Sequence, residues 1–144
     1  MDDKGYSLNM KKYILNGKKI KNLNEFFQEF SKMINSESSY FGKDMDSFDD
    51  CFFGGYGITI PCVIIWKNSA VSKKNLGYEA LVKWCQEQLD KSNYLDENGL
   101  NYLMQQRENA KNNFGVTLFD EIVSRILSVK SRSNGKINIE LILE

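Results

Sequence analysis

The chain of 144 residues carries 19 basic and 19 acidic side chains, with 42% apolar and 26% charged residues, the mixture of one soluble globular domain over 1–144. Zero net charge removes the general electrostatic case for a nucleic-acid partner. Histidine is absent, which excludes Ser–His and Cys–His nucleophile pairs and the commonest zinc ligand; an enzyme is disfavoured, and no catalytic residue, cofactor or metal ligand is assigned.

The opening Met1-Asp2-Asp3-Lys4 has no apolar run, so no secretory signal is expected. From Lys4 to Lys21 the charges are mostly lysine. Lys12-Tyr13-Ile14-Leu15 reads as a short strand, and Asn16-Gly17 as a turn. Leu23, Phe26, Phe27, Phe30, Met33 and Ile34 recur at helical intervals. Asn22 can cap that helix with Glu25 completing a capping box, and it should end near Asn35-Ser36.

Between Glu37 and Asp50 five acids (Glu37, Asp44, Asp46, Asp49, Asp50) face one base, Lys43, a local balance of −4. A second helix is expected from Met45 to about Phe53, with Asp44 as N-cap and Met45, Phe48 and Phe52 on one stripe. Asp46, Asp49 and Asp50 then lie off that stripe, because residues three and four apart are neighbours on a helix. Gly54-Gly55-Tyr56-Gly57 cannot continue the helix. It lacks the Lys and Ser/Thr of a phosphate-binding loop and is read as a loop that can offer Tyr56 to a partner.

From Ile60 to Trp66 runs a strand buried on both faces, as a parallel sheet requires, and far shorter than the ~20 residues of a membrane helix. Helices follow around Tyr78, Leu81, Val82, Cys85 and Leu89, and around Leu100, Leu103 and Met104. The next spans Leu118 to about Val129, with Thr117 as cap; Asn134-Gly135 turns, and Ile137 to Leu143 is a last strand. Strands separated by helices imply crossovers, hence an α/β domain of three parallel strands packed with helices. Cys51, Cys62 and Cys85 are odd in number and widely spaced. They form no metal or redox motif and suit a reducing, cytoplasmic setting.

Taken in order, these segments resemble the barstar family, intracellular inhibitors of barnase-type bacterial ribonucleases. The resemblance rests first on Tyr13-Ile14-Leu15-Asn16-Gly17, Ile20 and Leu23-Asn24-Glu25-Phe26. It is densest over Tyr40-Phe41-Gly42-Lys43-Asp44-Met45-Asp46-Ser47-Phe48-Asp49-Asp50-Cys51, then continues through Pro61, Val63-Ile64-Ile65-Trp66 and the closing Ile137 to Leu143. It covers roughly 11–67 and 118–144, which makes 68–117 a helical insertion.

The resemblance implies a protein partner, a ribonuclease of extracellular or toxin type, and no nucleic acid, membrane or cofactor; a monomer is expected when free. It also implies that Asp50 makes the central contact with the enzyme's catalytic cations, that Asp46 pairs with another basic group and that Tyr40 packs on the enzyme. Asp44 would cap first and contact second. Two departures stand out. Asp49 occupies a position where the family carries tryptophan, and Ser128-Val129-Lys130-Ser131 has no acid where the family offers one. Both argue against cross-inhibition of barnase itself and keep open an immunity-type role against another toxin or protein target. A weaker alternative is an enzyme with a divalent metal on Asp46, Asp49 and Asp50.

Overall fold

The computed structural model describes residues 10–34, 44–54, 57–91 and 96–144, so Tyr40 and Tyr56 lie outside the described residues. Three strands, β1 (Lys11–Asn16), β2 (Cys62–Lys67) and β3 (Ile139–Leu143), run parallel in the order β1-β2-β3. The expected α/β domain with a three-stranded parallel sheet is what forms. β2 is central, and its first five residues, Cys62 to Trp66, are buried, which agrees with a strand covered on both faces.

Register aligns Tyr13, Ile64 and Leu141, and likewise Leu15 and Trp66, on the side that joins the helical core. Two strands begin later than the sequence pattern suggests. Pro61 has no N–H to give the ladder, so pairing with β3 starts at the Cys62 N–H, which donates to the Asn138 carbonyl at 3.2 Å. The Ile137 N–H is taken by Ser133 Oγ at 3.0 Å, so β3 opens at Ile139.

Asn16-Gly17 leads into a 3-10 turn, Gly17–Lys19, in which Asn16 Oδ1 accepts from the Lys18 N–H. A Cβ on Gly17 would fall on the Lys67 and Asn68 carbonyl oxygens and on Ser72 Oγ, so only glycine fits. Helix α1 (Leu23–Met33) starts as expected at Asn22, whose side chain accepts from the Glu25 N–H at 2.8 Å; the Glu25 carboxylate takes the Lys21 N–H, one residue before the cap.

Helix α2 (Met45–Gly54) follows, then β2 and a short helix, α3 (Ser69–Asn75), that the periodicity did not indicate. Helices α4 (Tyr78–Asp90) and α5 (Glu97–Lys111) pack side by side, and α6 (Leu118–Arg132) opens on a capping box between Thr117 and Asp120. Phe26, Phe30, Trp66, Phe119, Ile122 and Ile126 meet in one core, with Trp66 stacked on Phe26 at 5.3 Å and tilted against Phe119 at 4.9 Å.

Candidate interaction site on helix α2

Helix α2 is built by two demands of its sequence. Asp44 Oδ1 accepts from the Ser47 N–H at 2.7 Å, which satisfies one of the four orphan donors at a helix start. Met45, Phe48 and Phe52 form its buried stripe. The Phe48 ring stands edge-on to Phe30 at 4.9 Å and to Phe26 at 5.3 Å, and Phe52 meets Phe30 at 5.7 Å. Burying one such phenylalanine contributes about 1.5–3 kcal/mol, so this stripe seats α2 on α1.

With the stripe inward, Asp44, Asp46 and Asp50 are exposed and Asp49 is half-buried. Asp46 sits in the first turn, where the helix dipole favours an anion. Residues four apart diverge by only about 40° around a helix, so Asp46 and Asp50 project in nearly the same direction. Among the described residues, neither carboxylate forms an ion pair.

Asp49 is differently placed. Arg132 at the end of α6 donates from Nη1 to Asp49 Oδ2 at 2.7 Å and from Nη2 to Oδ1 at 2.6 Å, a two-pronged pair. The same guanidinium donates from Nε to Ser128 Oγ at 2.9 Å and from Nη2 to the Arg125 carbonyl at 3.2 Å. It lies 5.2 Å from the ring centre of Phe53, which is 45% exposed. The hydrogen bond to Asp49 is the main reason the Arg132 pKa lies above its ordinary value. Arg132 is the site residue that sequence reasoning missed. Its only local signal is a basic last turn on α6, and nothing there points to an acid 83 residues away.

Of the six positions singled out in the sequence, Asp44, Asp46, Asp49 and Asp50 share one helix. Tyr40 and Tyr56 lie outside the described residues. Both oxygens of Asp49 are engaged by Arg132, so the three aspartates do not converge, and among the described residues no group of three or more acids or cysteines is placed to hold a metal ion. No helix among the described residues is long and apolar enough to cross a membrane.

Among the described residues, a cleft of about 310 Å³ lies between α1 and α4 over Leu23, Phe27, Trp84 and Leu118. Asp46 and Asp50 stand exposed on α2, outside that cleft.

Comparison with known proteins bears on what such a helix does. A model of the Barstar (barnase inhibitor) family matches residues 10–110, about 70% of the chain. The matched span takes in β1, α1, the acidic α2, β2, α3, α4 and most of α5, and it ends before α6 and β3. It differs from the resemblance read from the sequence, which lay over 11–67 and 118–144. A search of curated proteins finds no significant match. Family members are inhibitors rather than enzymes, with a ribonuclease as the partner in general. The sheet, the helices on it and the matched span agree: the chain belongs to the barstar (barnase inhibitor) family.

Proposed function

We propose that the chain inhibits a ribonuclease by seating Asp46 and Asp50 among the cationic side chains which that enzyme gathers around the scissile phosphate. One observation carries the reading: two exposed carboxylates four residues apart, on a capped and buried-faced helix, with no cation on either among the described residues. A carboxylate with no cation from its own chain has no internal pair to give up when another protein's guanidinium or ammonium reaches it, and that new pair offsets the loss of its hydration. Charge-assisted pairs formed there are short and strong, and the acidic surface speeds encounter with a basic cleft.

In this reading Asp44 serves the helix first, Asp49 is a support, and Tyr40 and Tyr56 flank the contact. The target is a ribonuclease of extracellular or toxin type, met in the cytoplasm. A related reading, another nuclease toxin or protein as target, is favoured by one observation: the Asp49 position, apolar in the family by resemblance, is here an ion pair with Arg132.

Titration against a panel of barnase-type ribonucleases, barnase included, tests the proposal. One enzyme of the panel should be inhibited at 1:1 stoichiometry, and Asp46→Ala with Asp50→Ala should weaken that inhibition by at least about 30-fold. This corresponds to about 2 kcal/mol, the threshold of an interface hot spot, a scale to which barnase and its inhibitor themselves contributed measurements. Inhibition that survives the double substitution would sink the acidic-helix mechanism.

A further inference from the structure

We propose that Arg132 is the positioning residue of the acidic helix, fixing the direction in which α2 points Asp46 and Asp50. This rests on the reading of those two carboxylates as the partner contact. The stripe of Met45, Phe48 and Phe52 sets which face of α2 is buried, and Arg132 adds a second, polar and directional hold on the flank of the helix that faces α6. A two-pronged guanidinium–carboxylate pair is directional, because both N–H···O bonds survive only in one relative orientation.

The Arg132–Asp49 pair is the feature that supplies this direction from α6. The guanidinium is itself held from three further sides, by Ser128 Oγ, the Arg125 carbonyl and the Phe53 ring. Asp49 and Phe53 are four residues apart, so the cation grips one flank of α2 over a full turn. Asp46 and Asp50 lie just beyond that flank, and turning α2 would swing them toward or away from a partner.

The pair also decides which acids α2 offers. Both Asp49 oxygens are engaged, at 2.6 and 2.7 Å, and its side chain is only 21% exposed, so among the described residues Asp46 and Asp50, and not Asp49, are the α2 carboxylates without an ion pair. Lysine could not replace the arginine. Its single nitrogen cannot form two parallel bonds to Asp49, reach Ser128 and lie flat over Phe53 together.

Amide hydrogen exchange across residues 45–54 of the full chain, with inhibition kinetics, decides the matter. Arg132→Lys and Arg132→Ala should both speed exchange of α2 by at least tenfold, with α1 and α4 unchanged. Asp49→Asn, nearly isosteric, should do the same and carries the test if Arg132→Ala fails to fold.

Against the ribonuclease found by the titration above, Arg132→Lys should keep the 1:1 endpoint and the association rate but raise the dissociation rate about tenfold. A merely structural lesion would instead lower the active fraction and leave the dissociation rate of the remainder alone. Unchanged α2 exchange in Arg132→Ala and Asp49→Asn, or full rescue by lysine, would overturn the proposal. If no ribonuclease of the panel is inhibited, the functional reading fails while the exchange result still decides whether Arg132 orients α2.

Discussion

At the scale of single residues, the cysteines illustrate how burial alone sets chemistry. Cys62 lies inside the central strand and Cys85 on the buried face of α4; loss of hydration pushes their thiols up to about 12 and about 11, with Glu121 adding to the rise at Cys85 and Arg107 opposing it. Folding therefore favours the protonated thiol. Stability from this source is fully present below the unfolded value of 9.0 and is lost as pH rises from there toward 11 or 12. Folded protein at pH 8 should accordingly resist iodoacetamide at Cys62 and Cys85, and urea midpoints should drop between pH 9 and 11; rapid alkylation of either of these two residues in native protein, located by peptide mapping, would contradict the burial described. The sequence already suggested inert cysteines. The role of Asp49 was not legible, because the residue that claims it arrives from α6 and no local pattern couples the two.

At the scale of elements, legibility follows the size of the buried face. Helix α1 buries Phe26, Phe27 and Phe30, and its cap, start and apolar stripe stand in the sequence at the spacing where they occur. Helix α6 is equally plain, with five buried apolar residues behind a Thr117 cap. Helix α3 escaped notice for a physical reason. Over seven residues it has no apolar stripe: Val71 is exposed, and the residue it buries is Ser72. That serine holds the helix in place, accepting from Trp66 Nε1 at 2.9 Å and donating to the Gly17 carbonyl at 3.0 Å. Ser72→Ala should cost about 1–3 kcal/mol, chiefly the penalty for leaving the buried Trp66 Nε1–H without its acceptor, since the Gly17 carbonyl keeps the Ile20 N–H. Val71→Ser, on the outer side of the same helix, should stay within about 0.5 kcal/mol. Urea unfolding of the two variants checks both values, and equal effects would refute the assignment of Ser72 as the fastening point of α3.

At the scale of the whole molecule, the span that matches the family is not the span that folds. The match ends at residue 110, whereas Leu118, Phe119, Ile122, Ile126 and Val129 of α6 fill the core and β3 pairs with one side of β2. A chain ending at residue 110 should lose cooperative unfolding and bind a hydrophobic dye, since Trp66 would lose Phe119 and Cys62 would lose its ladder partner Ile139; a sharp urea transition in that fragment would show that the core closes without α6. The fold class was readable because strands and helices alternate along the chain, and the parallel arrangement follows from that alternation. The strand order has a further consequence in time. β1 first meets β2 at Lys11 and Cys62, and β2 first meets β3 at Cys62 and Ile139, so no two strands that pair are near in sequence. Such a sheet cannot zip up from a hairpin, and high contact order of this kind slows folding. On a ribosome, helix α1 and the α4–α5 pair can form early, but the central strand must wait for residues 139–143, and α2 waits for Arg132 to steady it. Helix α2 is thus made well before its contact on α6, and the Asp49–Arg132 pair can close only once residue 132 has been added.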